Sequence, residues 1–342
     1  MDHKTRNFQN ILVIDFGQLG DVVLSLPALK AIRHKFAASN IAVLTGMAAG
    51  EIVTLSGLAD EVIKVDRVEL RDGPRLASIA KIFRLVSDIR RRKIDLVIDL
   101  HSLSETNLLA FLSKAKHRLL ANRESRSLDI LSNFSPSPPK EDKAKHLGDR
   151  YLDVLIPLGV DGSDRRFVFQ TSAVDLEFVR AKFFNDSQDR LIGIFPGAGH
   201  PSRCWSLDNF AQLASRLVSD GYIPVVFLGP EEKAIKDQVK ALFPPSTILV
   251  DGLSLAQFIA AAGLVKAFVT NDTGPMHLAA CAGTPILLLL DERAPMTYLP
   301  LTDRLAIIRD KTIDKISVDE TMHALADLIN SGSENDKTFA TW

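Results

Sequence analysis

Short runs of β-branched and other apolar residues alternate with amphipathic segments along nearly the whole chain, and this alternation constrains the fold more than any other feature. The first series of runs is ILVID, IAVLT, EVIKVD, DLVIDL and HRLLA, and the second is LIGIF, IPVVFLG, TILVDG, KAFVT and TPILLLL. Strands separated by helical segments of this length predict βαβ units and parallel sheets covered by helices. The sequence therefore predicts an α/β fold with two doubly wound parallel sheets.

The alternation is interrupted once, between the two series. Residues 119–157 are polar and contain a cluster of prolines, which is typical of a long loop followed by a helix. We therefore predict an N-terminal domain over residues 1–165 and a C-terminal domain over residues 175–315. A last amphipathic helix, residues 317–330, is free to pack anywhere, including back on the N-terminal domain.

The loops at the carboxyl ends of the predicted strands are where chemistry is expected, because open parallel sheets bind ligands beyond that edge. Two sheets that face one another in this way would enclose a cleft. Functional residues are therefore expected in the loops after ILVID, DLVIDL, LIGIF, VVFLG and AFVTN.

The balance of charge argues against a nucleic-acid partner, since 41 Lys and Arg nearly cancel 42 Asp and Glu. The two cysteines, Cys204 and Cys281, are far apart and lack metal-ligand spacing, which is typical of a reducing compartment. The longest apolar run, residues 286–290, is far shorter than the roughly 20 residues of a membrane-spanning helix. We expect a cytoplasmic protein, with peripheral contact at a membrane face left open.

The loop after AFVT reads NDTGPMH and has the composition of a phosphate-binding turn. Asp272, Thr273 and Gly274 stand where a strand passes into a helix, and the N–H groups and dipole of a helix start suit a phosphate. Pro275 fits the first helical position, where an N–H is dispensable. The alternative is a well-capped helix with Asp272 or Thr273 as its cap. Spacing alone favours neither.

Two further loops of the second series carry candidate residues. After LIGIF, Gly197 lets the backbone approach a ligand, and Arg203 is a permanent cation able to bind phosphate oxygens in a forked geometry. After VVFLG, Glu231 or Glu232 is placed to accept hydrogen bonds from ribose hydroxyls. The alternatives are a solvated arginine and acids that merely favour the first turn of a helix.

The turn GQLGD after ILVID has the glycines of a phosphate loop but ends in an acid, Asp21. A dinucleotide fingerprint would have a third glycine, and a carboxylate at its mouth would repel a diphosphate. A carboxylate at a helix start can instead take a proton from a bound hydroxyl as a general base. The alternative is ordinary helix capping.

Several familiar catalytic motifs are absent from the sequence. There is no Asp-x-Asp pair, so the metal–diphosphate clamp of many sugar transferases has no candidate. There is also no G-x-x-x-x-G-K-[ST] loop, no H-E-x-x-H and no G-x-S-x-G. These absences narrow the enzyme classes that the chain can belong to.

Three motifs together are more specific than any one of them. ILVIDFGQLGDVVLSLPALKAIR, IFPGAGHPSRCWSLDNFAQLA and FVTNDTGPMHLAACAGTP, in this order and at these separations, resemble the ADP-heptose:lipopolysaccharide heptosyltransferases of glycosyltransferase family nine. DLVIDLHSLSETNLLAFLSKAKHRL and ISVDETMHALADLI extend the similarity over nearly the whole chain. The resemblance implies a GT-B fold, in which one Rossmann-like domain binds the acceptor and a second binds the nucleotide sugar.

The resemblance also implies a reaction and its partners. The reaction is inverting, metal-independent transfer from ADP-L-glycero-β-D-manno-heptose to the inner core of lipopolysaccharide, with an acceptor of the Kdo–lipid A type. It implies no metal and no other cofactor, since the ADP-sugar is a substrate. Such an enzyme is expected in the cytoplasm, with peripheral contact at the inner membrane left open.

Matched motif by motif, the resemblance gives roles to individual residues. Asp21, next to Gly20 on the acceptor side, matches the aspartate proposed to deprotonate the acceptor hydroxyl. Arg203 stands where many members have the lysine that neutralises the leaving diphosphate. Asp272 matches the position that holds the transferred sugar. The turn that receives the diphosphate matches Thr273, Gly274, Met276 and His277.

The acceptor carries carboxylates and phosphates, so cations are expected around it. His146 and Arg150 are the first candidates, and Arg123 and Arg126 are weaker ones, for which a solvated basic loop is the alternative. Asp15 departs from the family pattern, because relatives often carry arginine at the end of this strand. Contacts made there are therefore expected to differ.

Two other functions stay open on the sequence. One is a GT-B glycosyltransferase that uses another nucleotide sugar or acceptor, since family motifs fix chemistry better than specificity. The other is a two-lobed ligand-binding protein without catalysis. A candidate base together with a leaving-group cation is more than such a binding protein requires.

Overall fold

The chain forms two units in a computed structural model. Unit 1 consists of Met1–Phe167 and Met296–Leu299, and unit 2 of Val168–Pro295 and Pro300–Trp342. The sequence pattern indicated a connector in the same region, but nothing in it indicated that Met296–Leu299 joins unit 1. The structure describes residues 7–123, 128–160, 162–184 and 190–335.

Unit 1 is built on a sheet of parallel strands. They are β1 (Asn10–Asp15), β2 (Asn40–Gly46), β3 (Glu61–Val65), β4 (Leu96–Asp99) and β5 (His117–Leu120). Their order in the sheet is β3-β2-β1-β4-β5. Residues 11–14 of β1 are buried, as expected for a central strand covered on both faces. Asp15, the last residue of this strand, is buried with them.

Helices cover both faces of this sheet. They are α1 (Leu19–Lys35), α2 (Met47–Ser56), α3 (Arg67–Asp72), α4 (Arg75–Arg91), α5 (Ser104–Leu112) and α6 (Leu147–Val154). The chain steps from β1 to β3 in one direction and returns to β4 and β5 in the other, so right-handed crossovers put α1 and α2 on one face and α4 and α5 on the other. Val86 and Ile89 of α4 accordingly share a buried cluster with Leu109 of α5.

Unit 2 repeats this arrangement with a sixth strand. Its strands are β6 (Leu191–Phe195), β7 (Ile223–Leu228), β8 (Ile248–Asp251), β9 (Ala267–Asn271), β10 (Ile286–Asp291) and β11 (Leu305–Asp310). They pair in parallel in the order β11-β10-β9-β6-β7-β8. The strand β11 was not predicted from the sequence, because this edge strand is only partly buried and lacks a long apolar run.

The helices of unit 2 are α7 (Ala173–Val179), α8 (Leu207–Ser219), α9 (Lys236–Leu242), α10 (Leu255–Ala262), α11 (Gly274–Cys281) and α12 (Val318–Asn335). Sequence reasoning allowed the last of these to return to the N-terminal domain. In the structure α12 instead packs against α8 and β11. Its apolar face explains the choice, because Leu325, Leu328 and Ile329 complete the buried core of unit 2.

The prediction of an α/β fold with two doubly wound parallel sheets is confirmed. In each unit the strand order reverses once, between β1 and β4 in unit 1 and between β6 and β9 in unit 2. Such switch points open a crevice at the carboxyl edge of a parallel sheet, which is the usual ligand position. Among the described helices, none is both long enough and apolar enough to cross a bilayer.

Candidate functional site

A cavity of about 490 Å³ opens in unit 1 at the switch point between β1 and β4. We call it the unit 1 pocket. Charged and aromatic side chains dominate its wall, and acids and bases therefore meet in one cavity. Its lining is Phe16, Gln18, Asp21, Arg67, His101, Leu103, Arg123, Glu141, Lys143, Leu147, Arg150, Tyr151, Thr297 and Tyr298.

The turn from β1 into α1 places Asp21 in this wall. The helix begins at Leu19, so Asp21 lies in its first turn, and its Oδ2 accepts a hydrogen bond of 3.1 Å from the Gln18 N–H. A Cβ at Gly17 would lie only 2.6 Å from the Asp21 Cβ, and this explains the glycine. Asp21 therefore caps the helix and faces the pocket, so the two sequence interpretations are not exclusive.

The surroundings of Asp21 change its acidity. Burial raises the pKa of the Asp21 carboxyl, and the hydrogen bond from Gln18 opposes that rise. The nearby Asp15 carboxylate raises the pKa further. A carboxylate with a raised pKa holds a proton more tightly than an ordinary aspartate, which suits a general base.

His101 and Asp15 stand beside Asp21 and were not assigned a role from the sequence. The Asp15 Oδ1 accepts from the Gly17 N–H at 2.9 Å and lies 3.8 Å from the His101 Nδ1. Its Oδ2 makes no hydrogen bond within the described residues. Burial lowers the pKa of His101, against the raising effect of Asp15. The position of His101 just after β4 was visible in the sequence. A single histidine, however, has no spacing to other residues that would indicate a functional role.

Two of the predicted cations line the pocket. Arg150 is buried, its Nη1 lies 3.2 Å from the Glu141 Oε1, and its guanidinium lies over the Tyr298 ring. The Nε of Arg123 lies 3.3 Å from the same Glu141 oxygen. Within the described part of the chain, the Nε and Nη2 of Arg150 make no hydrogen bond. Buried N–H groups without partners are costly, and an anionic ligand would satisfy them.

The other acceptor-side candidates are placed differently. His146 was expected as a cation, but it caps α6 instead: its Nδ1 accepts from the Gly148 N–H at 3.1 Å, and its Nε2 lies 2.8 Å from the Leu299 carbonyl oxygen. Both ring nitrogens are thus used away from the pocket lining. Gly20 lies in the first turn of α1. Arg126 lies outside the described residues.

Unit 2 has a smaller cavity, of about 260 Å³, beside Arg203 and Asp272. Arg203 lies in a short 3₁₀ turn, and its Nη1 lies 3.4 Å from the Asp272 Oδ2. Burial raises the pKa of Asp272, while Arg203 opposes the rise. The two residues that the sequence placed in separate loops therefore meet at the switch point between β6 and β9. Asp291 and Arg293 line the same cavity and were not predicted.

Asn271 fixes the loop that carries Arg203. Its Nδ2 donates to the Pro196 carbonyl at 2.9 Å and to the Gly197 carbonyl at 3.1 Å, while its Oδ1 accepts from the Trp205 N–H at 3.0 Å. The indole of Trp205 is buried and donates to the Ile316 carbonyl. Both ends of the loop are thus held, and Arg203 lies between them.

The turn after Asn271 forms the helix start that was expected. Thr273 is the N-cap of α11, and its side chain makes no capping hydrogen bond. Gly274 is the first helical residue, so Pro275 occupies the second position rather than the first. Met276 and His277 are buried, at 0% and 5% exposure. Their side chains face the interior of unit 2, and the Met276 N–H donates to the Thr273 carbonyl oxygen at 3.2 Å, so neither predicted side chain is exposed to a ligand.

Gly197 and Glu232 come together at the ends of β6 and β7. A Cβ at Gly197 would lie 2.1 Å from the Glu232 Oε1, so a larger residue there would displace this carboxylate. The Glu232 Oε2 accepts from the Gly229 N–H at 3.0 Å, and burial raises the pKa of this carboxyl. Glu231 is exposed. The structure therefore favours Glu232 of the two acids. No cluster of three or more potential metal ligands is found among the described residues.

Residues 82–325 match the model of a protein family described as glycosyltransferase family 9 (heptosyltransferase). The chain belongs to glycosyltransferase family 9. It is therefore a glycosyltransferase, as the motifs predicted, and the alternative of a binding protein without catalysis is set aside. The match covers Arg203 and Asp272 but begins after α1, so the case for Asp21 rests on its own geometry.

Relatives of the chain carry names consistent with this family. Lipooligosaccharide heptosyltransferase 2 of Haemophilus influenzae is 24% identical over 313 residues, which cover 88% of each chain. A family 9 glycosyltransferase from Veillonella parvula has a TM-score of 0.83 at 24% identity, covering 97% of this chain and 99% of that one. The ADP-heptose lps heptosyltransferase II of E. coli has a TM-score of 0.78 at 20% identity, covering 95% and 100%. These likenesses confirm the GT-B fold.

Proposed function

We propose that this family 9 enzyme transfers heptose from ADP-L-glycero-β-D-manno-heptose to the inner core of lipopolysaccharide, with inversion and without a metal. The observation that carries the proposal is the unit 1 pocket, in which a carboxylate of raised pKa shares one cavity with the buried Arg150. The names of the H. influenzae and E. coli relatives support the sugar and the acceptor. The reaction would take place at the cytoplasmic face of the inner membrane.

The acceptor half of the proposal rests on unit 1. Arg150 has two N–H-bearing nitrogens without partners in the described structure, and these can bind a carboxylate or phosphate of the inner core. Arg123 supplies a second positive charge beside it. Asp21 then accepts the proton of the attacking hydroxyl as the new bond forms. His101, kept largely neutral by burial, can orient that hydroxyl.

The donor half rests on unit 2. Glu232 is the carboxylate proposed to accept hydrogen bonds from the ribose, because it lies against Gly197 and is held by the Gly229 N–H. The uncapped start of α11 at Thr273 and Gly274 is proposed to receive the diphosphate. Asp272 would hold the transferred sugar, and Arg203 would neutralise the departing ADP.

Inversion follows from a single displacement. The acceptor oxygen attacks the anomeric carbon from the side opposite the diphosphate, the carbon–oxygen bond to ADP breaks, and Asp21 holds the released proton. Arg203 and the α11 start stabilise the charge that develops on ADP, which is the task a metal performs in many other sugar transferases. No covalent nucleophile is needed in this scheme.

A panel of nucleotide sugars tests the proposal directly. Purified enzyme is incubated with ADP-heptose, ADP-glucose, UDP-glucose or GDP-mannose and Kdo–lipid A, with and without EDTA, and products are read by mass spectrometry and anomeric NMR. We expect transfer from ADP-heptose alone, α-linked and unaffected by EDTA. Preference for a UDP or GDP sugar would contradict the donor, and a retained anomeric configuration would contradict the mechanism.

A further inference from the structure

Helices α3 and α4 of unit 1 expose an unusual number of apolar side chains for their length. Leu76 is 83% exposed, Phe83 71% and Val68 62%, and Ile79 and Ile82 are 49% and 42% exposed. We call these five residues the α3–α4 patch. Single exposed apolar residues are ordinary on protein surfaces, but a contiguous group marks a contact surface.

The periodicity of α4 brings three of the patch residues to one side of the helix. Leu76, Ile79 and Phe83 are three and four residues apart, so they lie on one side of the helix. Val86 and Ile89 belong to the buried cluster under the helix and lie seven residues after Ile79 and Ile82, so they continue the same side of α4 toward its C-terminus. The Leu76–Phe83 line therefore extends the apolar surface of α4 beyond the part that packs on the sheet, and its side chains are exposed.

Positive charge surrounds the patch. Residues 67–91 contain seven Lys and Arg but three Asp and Glu, whereas the whole chain has a net charge of −1. Arg75 and Arg84 are exposed and form no ion pair within the described residues. At 100° per residue they flank the Leu76–Phe83 line on opposite sides. An apolar stripe between arginines is the composition of helices that lie in a bilayer interface.

The patch begins one residue after Arg67, which lines the unit 1 pocket. Arg67 lines the pocket and is the first residue of α3, and its Nη1 donates to the Phe16 carbonyl at 3.0 Å. Val68 follows it directly. A surface that held the patch against a lipid layer would therefore hold the pocket at the same layer.

We propose that the α3–α4 patch inserts into the headgroup–acyl boundary of an anionic lipid bilayer, and that this brings a lipid-linked acceptor to the unit 1 pocket. The acceptor in this statement rests on the proposed function, but the docking itself does not. Charge favours the bilayer over a second copy of the chain, since a two-fold contact through the patch would press Arg75 and Arg84 of both copies together. Each arginine is instead attracted to anionic headgroups.

Vesicle co-sedimentation tests the docking without any transfer reaction. The full chain is mixed with vesicles of phosphatidylethanolamine and phosphatidylglycerol, or of phosphatidylcholine alone. We expect binding to the anionic vesicles only. Phe83→Ser should lower the partition coefficient about tenfold, because one buried aromatic side chain is lost. Arg75→Glu/Arg84→Glu should lower it at least as much, and only on anionic vesicles.

Matched variants separate the patch from general surface effects. Ile156→Ser removes an exposed apolar side chain elsewhere in unit 1, and Lys240→Glu/Lys266→Glu makes the same charge change in unit 2. Both should bind vesicles as the wild type does. Phe83→Ser should also keep wild-type transfer to a deacylated, water-soluble acceptor and lose transfer to vesicle-borne acceptor. This pair of assays separates failed docking from a failed proposed function.

Three results would overturn the docking proposal. The first is wild-type protein that does not sediment with anionic vesicles. The second is equal loss of binding in Phe83→Ser and Ile156→Ser. The third is a wild-type dimer that Phe83→Ser converts to monomer in analytical ultracentrifugation while vesicle binding stays unchanged, which would assign the patch to a second copy of the chain.

Discussion

The two units fix their functional loops with different polar side chains at equivalent places. Asp99 ends β4 in unit 1, is fully buried, and accepts from the Ser102 N–H at 2.7 Å and the Asn107 Nδ2 at 2.9 Å. Asn271 ends β9 in unit 2, is also fully buried, and holds the loop that carries Arg203. Each residue lies on a strand next to a switch point, and each ties down the backbone of a loop that lines a cavity.

The two residues differ because the Asp99 carboxyl can gain or lose a proton, whereas the Asn271 amide cannot. Burial raises the pKa of the Asp99 carboxyl to about 6, even though the hydrogen bonds from Thr106, Ser102 and Asn107 oppose the rise. An amide such as Asn271 both donates and accepts and has no charge to lose. The loop support in unit 1 therefore depends on pH, and the corresponding support in unit 2 does not.

The largest expected effect is on kcat, and it tests whether unit 1 supplies the base while unit 2 binds ADP. Asp21→Asn removes the proposed base but keeps the side-chain shape, so kcat for transfer should fall about a thousandfold. ADP affinity, proposed to reside in unit 2, should stay at the wild-type value in isothermal titration calorimetry.

The control for Asp21→Asn is Asp208→Asn, which changes an exposed aspartate in the first turn of α8. It should leave kcat within about twofold of wild type, because only a weak helix-dipole interaction is lost. Turnover by Asp21→Asn at the wild-type rate would remove the base assignment.

The second effect concerns unit 2 alone. Arg203→Ala should lower kcat/KM for the ADP-sugar about a hundredfold, since one charge-assisted contact to the leaving group is lost. Arg203→Lys should recover most of the loss, because the charge remains while its geometry changes. KM for the acceptor should not move in either variant.

Arg216→Ala is the matched control for Arg203, because it removes an exposed arginine paired with Asp319 on the surface of unit 2. Steady-state kinetics with both substrates varied will distinguish the outcomes. A rise in acceptor KM in Arg203→Ala, with donor kinetics unchanged, would speak against the division of roles between the units.

The smallest effect tests the contrast between Asp99 and Asn271. Because the folded-state pKa of Asp99 is raised, its contribution to stability is complete below about pH 4 and is lost as the pH rises through about 6. Between pH 4.5 and 7 this amounts to about 2 kcal/mol. His101, whose pKa is lowered, acts in the opposite direction, so the comparison must be made with Asp99→Asn.

Hydrogen exchange, corrected for intrinsic rates, measures this contrast strand by strand. The opening free energy of β4 should fall from pH 4.5 to 7 by about 2 kcal/mol more in the wild type than in Asp99→Asn. The pH dependence of β9 should be identical in both proteins. Equal pH dependence of β4 in both would mean that Asp99 does not titrate in this range.

Local patterns in the sequence predicted the strands and several site residues. A run such as ILVID can be predicted to form a strand from its own residues, because a strand buried on both faces is apolar along its length. Asp21 and Gly17 lie within one turn, so their spacing is visible directly. Arg203 and Asp272 stood in short motifs at strand ends. In each of these cases the sequence pattern and the structural feature that it predicts lie within a few residues of each other.

Residues whose partners are distant in sequence could not be predicted in this way. Asn271 was visible in NDTG, but it holds Trp205 and Pro196, which are 66 and 75 residues away. His146 was predicted to be an acceptor-side cation, but its ring lies against the carbonyl oxygen of Leu299, which is 153 residues away. Met276 was predicted to bind the donor, because the sequence does not show which side of α11 packs inward. In the structure its side chain is buried.

Met296–Leu299 has a consequence for the order in which the protein is made. The Tyr298 ring covers the guanidinium of Arg150, and the Leu299 carbonyl bonds to His146, so the wall of the unit 1 pocket includes residues from late in the chain. Strands β6 to β10 all leave the ribosome before Tyr298 does. Synthesis of unit 1 thus starts first, but its last residues are made only when unit 2 is nearly complete. A fragment ending at Phe167 would therefore carry an incomplete pocket.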